Sequence, residues 1–97
     1  MTASAASVTP TSVLVRSDEV LHQELGGETV LLDLASEQYF GLDAVGSRIW
    51  ELLDGSAGLD AVHARLCAEF DAEAPRIAED LLALAQSLLD AGLVQLR

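Results

Sequence analysis

Ninety-seven residues, 51% of them hydrophobic, are enough for one small domain and leave no room for a second core. Five Arg, no Lys and sixteen acidic residues give a formal charge of −11, a field that repels nucleic-acid phosphates and anionic membranes alike. Cys67 is alone, which excludes an internal disulfide framework, and no apolar run approaches the roughly 20 residues that cross a bilayer.

Met1 to Ser12 is rich in Ser, Thr and Ala, with neither a basic start nor a long apolar centre. It reads as a disordered tail (1–12) rather than a signal peptide, so a cytoplasmic protein with one domain over 13–97 is expected. Val13 to Arg16 is a short apolar run leading into that domain. Glu19 to Leu25 alternates, with Leu21, Gln23 and Leu25 on one face. Gly26-Gly27 then suits the positive φ angles of a tight hairpin. Glu28 to Leu34 reads as a central strand on which Val30, Leu32 and Leu34 share one face and Leu31 lies on the other. Ala35-Ser36-Glu37 forms a second turn, and Gln38 to Leu42 a third strand. The result is a three-stranded antiparallel meander whose first and third strands are edges.

Asp43 follows as an N-cap, its carboxylate placed to accept from the next turn's N–H groups. Val45, Ile49, Trp50, Leu52 and Leu53 recur at helical spacing as far as the stop signal Asp54-Gly55. Leu59 to Phe70 is a second helix, striped by Leu59, Val62, Leu66 and Phe70. Pro75 suits the first turn of a third helix, because its missing N–H would have no helical partner there. That helix runs to about Ala91, Gly92 closes it, and Leu93 to Leu96 adds a short final strand.

At about 100° per residue the third helix shows two adjacent apolar stripes. One is Ile77, Leu81, Leu84 and Leu88; the other is Ala78, Leu82, Ala85 and Leu89. Together they span roughly 160°, wider than a helix on a single core usually needs. One stripe can meet the core while the other lines a groove beside the third strand. Arg76, Glu79, Asp80, Ala83, Gln86, Ser87 and Asp90 form the arc that faces water.

No catalytic constellation accompanies this pattern. His63 and Cys67 lie four apart on one helical face, but a nucleophile would also need an orienting group and an oxyanion site. Cys67 reads as a small apolar filler. Metal binding would require His22 to join His63 and Cys67 across the fold without ligand spacing. Gly26-Gly27 lies between strands and does not open a helix, so it is no phosphate loop. Trp50 reads as a core anchor. Tyr39 and Phe40 are neighbours on a strand and point to opposite faces, so one of them is left as a candidate contact residue.

Asp33-Leu34, Tyr39, Gly41-Leu42, Ile49-Trp50, Leu53 and Asp54-Gly55, with the later Asp80 and Ala91-Gly92-Leu93, carry a family likeness. From about Val13 onward the chain resembles the PqqD family, and within it most resembles the stand-alone leader-binding proteins of lasso-peptide pathways. Two departures stand out: Glu37 occupies a position where many relatives carry Gly, and Asp43 one where many carry Asn.

The resemblance implies an α+β winged helix-turn-helix in which a three-stranded antiparallel meander is followed by three helices. It implies a non-enzymatic binder without cofactor or metal. The leader of a ribosomally made precursor peptide would pair with the third strand, pack on the third helix and be presented to a protease, cyclase or radical enzyme. The matching residues are Glu37, Gln38, Tyr39, Phe40, Gly41 and Leu42 on the strand side. On the helix side they are Arg76, Ile77, Asp80, Leu81 and Leu84. An exposed edge suits this, since its backbone groups supply affinity and neighbouring pockets select side chains.

A winged-helix DNA-binding regulator is the alternative from another class. It fits the charge poorly, because the presumed recognition helix holds a single Arg. A chaperone role in pyrroloquinoline quinone biosynthesis is the alternative within the family. Like-charge repulsion favours a monomer, although an open edge invites strand exchange.

Overall fold

Hydrophobic alternation and glycine placement produce two small antiparallel sheets around three helices in the computed structural model, which describes residues 8–97. The order is β1 (Val13–Arg16), β2 (Val20–Leu25), β3 (Glu28–Asp33), β4 (Gln38–Leu42), α1 (Ala44–Leu52), β5 (Asp54–Gly58), α2 (Leu59–Glu69), α3 (Ala74–Asp90) and β6 (Val94–Leu96). The class is α+β, with the meander β2-β3-β4 ahead of the three helices.

The Gly26-Gly27 turn, with φ of 61° and 88°, fixes the register of β2 on β3. Only one face of this sheet meets the helices. Leu31 is fully buried there between Thr29 and Asp33, while Val30 and Leu32 on the opposite face are half-buried. The face richer in apolar residues is thus the outer one. Asp33 tolerates burial because its carboxylate accepts from the Ala35 N–H at 3.2 Å and the Ser36 hydroxyl at 2.8 Å.

A second sheet, β5-β1-β6, was not legible as such. Asp54-Gly55-Ser56-Ala57-Gly58 carries neither alternation nor β-branched residues, and the expected helix stop at Asp54-Gly55 proves to open a strand. Leu14, Leu93 and Val94 carry this sheet into the core.

Each helix is bounded by a physical stop. Asp43 caps α1, its Oδ1 accepting from the Gly46 N–H at 2.8 Å. The α2 start has no side-chain cap. The carbonyls of Ser12 and Pro10 take its first N–H groups, from Leu59 at 2.9 Å and Asp60 at 2.7 Å. Val8 also packs on the core, and its N–H donates to Gln86 Oε1. Residues 8–12 of the expected tail are therefore tied to the fold; residues 1–7 lie outside the described residues. At the end of α3, Gly92 (φ 79°) donates to Leu89 O and Leu93 to Leu88 O, a Schellman closure that drives Leu93 into the core.

On α3 the fully buried residues are Ile77, Leu81, Ala85 and Leu88, spaced as one helical face. Each large member contributes roughly 1.5–3 kcal/mol by leaving water. They meet Ile49 and Trp50 of α1 and Leu59, Val62 and Leu66 of α2 in one cluster. On the surface, Arg48 of α1 grips Glu69 of α2 through two bonds of 2.7 and 2.9 Å. That pair holds the Arg48 guanidinium well above its ordinary pKa and Glu69 below its own.

Candidate functional site

β4 pairs with β3 alone among the described residues, so its other side is open. Every second residue of such an edge directs its N–H and C=O away from the sheet. The strand is introduced by Glu37, the one non-glycine residue at positive φ (60°) among the described residues. Its N–H donates to Asp33 O at 2.7 Å, which closes the turn. The left-handed conformation explains why Gly is the better-suited residue there.

At its far end β4 runs directly into α1, and this junction builds a groove. Gly41, Leu42, Asp43, Val45, Gly46 and Ile49 form one wall, and Arg76, Asp80 and Leu84 of α3 the other, around about 560 Å3. Gly46 belongs there because a Cβ would lie 3.3 Å from that of Leu42 and 3.2 Å from Asp43 Oδ1. The wall can approach that closely only without a side chain. Arg76 and Asp80 face each other at 3.4 Å, both well exposed. An exposed pair of this kind contributes little and can be re-paired at small cost. The floor is apolar and the rim charged, which suits a chain that pairs by backbone and inserts a side chain.

The structure sorts the expected site residues. Gln38, Tyr39 and Gly41 lie exposed on the strand, Phe40 is half-buried on its inner face, and Leu42 closes the groove floor. Arg76, Asp80 and Leu84 line the groove. Ile77 and Leu81 do not: both are core, behind the helix wall. The line that reaches the groove is i, i+4, i+8 from Arg76, one residue ahead of the Ile77 stripe, and it shares only Leu84 with that stripe. Of the second stripe, Ala85 is core, whereas Ala78 and Leu82 turn the other way and, beside Leu81, line a small cavity with Pro10, Leu59 and His63. Asp43, Val45, Gly46 and Ile49 were missed as lining residues. The adjoining of strand end and N-cap in sequence was the signal that could have found them.

The opposite edge, β2, borders a crevice walled by Arg16, Asp18, Trp50 and Asp54. Its charged walls suit an apolar ligand less. His63 Nε2 lies 2.8 Å from Ala74 O and 3.4 Å from Cys67 Sγ. A carbonyl can only accept, so Nε2 carries the proton and cannot take one from the thiol. The pair is a brace between α2 and α3, not an activated nucleophile. Among the described residues no helix is long and apolar enough to cross a membrane.

Residues 28–94 match the family described as coenzyme PQQ synthesis protein D (PqqD). The chain belongs to the PqqD family. The matched span runs from the start of β3 into β6 and so contains the whole groove. Among solved structures, TbiB1 in complex with the TbiA(beta) leader peptide is similar at 37% identity and a TM-score of 0.75, over 84% of this chain and 94% of that one. Lasso peptide synthetase B1 complexed with the leader peptide is similar at 25% identity and a TM-score of 0.68, over 86% and 98%. No curated protein matches the chain.

Proposed function

We propose that this PqqD-family protein binds the leader segment of a ribosomally made precursor peptide by β-strand addition and hands it to a maturation enzyme, without catalysing a step itself. The observation that carries the reading is the juxtaposition of the open β4 edge with the Arg76–Asp80–Leu84 wall. A strand laid beside β4 extends the sheet β2-β3-β4, gains backbone hydrogen bonds, and directs alternate side chains toward α3. Two solved relatives, at 37% and 25% identity, are themselves leader-peptide complexes, which supports the same ligand class here.

In this reading Glu37 to Leu42 form the pairing strand. Arg76 and Asp80 exchange their mutual contact for charges on the leader, and Leu84 receives an apolar anchor. Leu42, Val45 and Ile49 form the floor beneath that anchor. The receiving enzyme is a leader peptidase or cyclase, and the protein works as a monomer in the cytoplasm.

The DNA-binding alternative gains nothing from the fold, since Arg76 is the sole cation on α3 and already faces Asp80. Calorimetry with the synthetic leader of the precursor encoded beside this protein tests the proposal. One-site binding at micromolar affinity or better is expected, and no heat at high micromolar peptide would refute it.

A further inference from the structure

Register places Leu21, Leu32 and Tyr39 in one row across β2, β3 and β4, and Gln23, Val30 and Gly41 in the next. Residues directly opposite share a face, so both rows lie on the outer side of the sheet, away from the helices. Leu25 ends that face at the hairpin, and Leu34 continues the line of Val30 and Leu32 just beyond β3. Among the described residues, five large hydrophobic side chains are exposed, and four belong here: Leu21 (55%), Leu25 (57%), Leu34 (48%) and Tyr39 (71%). Together they expose on the order of 400 Å2, at the size where an apolar patch marks an interaction site.

Charge narrows the occupant. Residues 17–47, which carry all three strands, hold seven acidic residues and no Lys or Arg. Two copies meeting through this face would bring two such acidic rims together, and the apolar area is about half of the ~800 Å2 that each side of a stable pair buries. An anionic lipid surface is repelled in the same way. What fits is a different protein whose apolar patch is fringed by Lys and Arg. Position narrows it further. A peptide strand added to β4 extends this same sheet, so its outward side chains join the patch beside Tyr39.

We infer that the outer face of β2-β3-β4 is the docking surface for the enzyme that processes the bound peptide, engaged through an apolar patch with a basic rim. The inference rests on leader binding at β4. The enzyme then contacts the sheet and the outward side chains of the leader at once, so the loaded protein is bound more tightly than the empty one.

The test titrates the purified peptidase and, separately, the purified cyclase acting on the same precursor against the immobilised protein, with and without synthetic leader. Wild type, Leu21→Gln/Leu25→Gln and Gln23→Lys/Glu28→Lys are compared, all altered at exposed sites of the outer face and checked by melting curve. One enzyme should bind the loaded wild type, and more weakly at about 300 mM than at about 50 mM salt. Each double variant should lose about tenfold or more. Leader affinity, measured by calorimetry, should stay within about twofold.

Binding of neither enzyme, or equal binding by Leu21→Gln/Leu25→Gln, would overturn the inference. So would a wild-type dimer in sedimentation that this variant abolishes, which would assign the face to a second copy. A wild type that binds no leader would show separately in calorimetry and would take the docking proposal down with it.

Discussion

Leu84→Asp places a carboxylate on the groove wall without disturbing the pairing strand. In the free protein Leu84 is half-buried, so the substitution removes part of one side chain's packing and costs about 1–2 kcal/mol of stability. In the complex the introduced carboxyl is covered by peptide, near Asp43 and Asp80 and with only Arg76 of opposite sign among the lining residues. It escapes burial as an ion by taking a proton, which at pH 7 costs about 4 kcal/mol from an ordinary Asp pKa near 3.9. The penalty on binding therefore lies between the lost apolar contact, about 1 kcal/mol, and about 5 kcal/mol. The acidic neighbours Asp43 and Asp80 push the penalty toward the upper figure, so a loss of at least about 100-fold is expected at pH 7. Because protonation sets the ceiling, the deficit should shrink by about tenfold or more at pH 5. Leu84→Ala should lose only about five- to tenfold, whereas Leu82→Ala, on the opposite side of the same helix beside Pro10 and His63, should leave binding unchanged. Calorimetry with the leader, after a melting curve for each variant, reads all three. A folded Leu84→Asp protein that binds like wild type, or a deficit independent of pH, would refute the groove.

Glu37→Gly should raise stability by up to about 1 kcal/mol in urea unfolding, since it relieves a left-handed side-chain residue and gives part of that back as chain entropy. Trp50→Ala should cost about 3–5 kcal/mol and strip the ring over which the Arg16 guanidinium lies at 5.7 Å, visible as early melting or insolubility. A well-folded Trp50→Ala protein with lost leader affinity would place this residue in the site instead. The Arg48 hydrogen bond holds the Glu69 carboxyl below its ordinary value of 4.5, so its stabilisation is full above that pH and fades as pH falls through the lower folded value. The stability gap between wild type and Glu69→Gln in pH-dependent melting should therefore be widest near neutrality and close in acid; a gap that widens in acid would contradict the assignment.

The meander and the helices were legible because each carries a local signal. Gly26-Gly27 marks the hairpin, Asp43 the first cap, Pro75 the start of α3 and Gly92 its end. The β5-β1-β6 sheet was not legible as a whole, because Asp54–Gly58 forms a strand through pairing with β1 rather than through any side-chain pattern of its own. The open edge of β4 followed from the strand pattern, and its choice over β2 as the candidate pairing strand came from the family resemblance. The helix wall did not follow from pattern, because the two stripes of α3 are each compatible with a core, and hydrophobicity pointed to Ile77 and Leu81. The groove instead took the mixed line Arg76, Asp80 and Leu84, which periodicity splits between the water-facing arc and the first stripe and which only the family resemblance brings together. Which face of a helix meets a cleft depends on where neighbouring elements stop. Here it depends on a single residue, Asp43, separating the end of β4 from the start of α1.

Backbone pairing on β4 is most directly tested by residue-resolved amide hydrogen exchange with and without saturating leader peptide. Strand addition predicts that alternate amides among residues 38–42 become strongly protected, because their N–H groups exchange open solvent for a partner strand, while amides of residues 20–25 on the opposite edge change little. Protection that appears along 20–25 instead, or leader binding that leaves 38–42 exchanging as in the free protein, would contradict it.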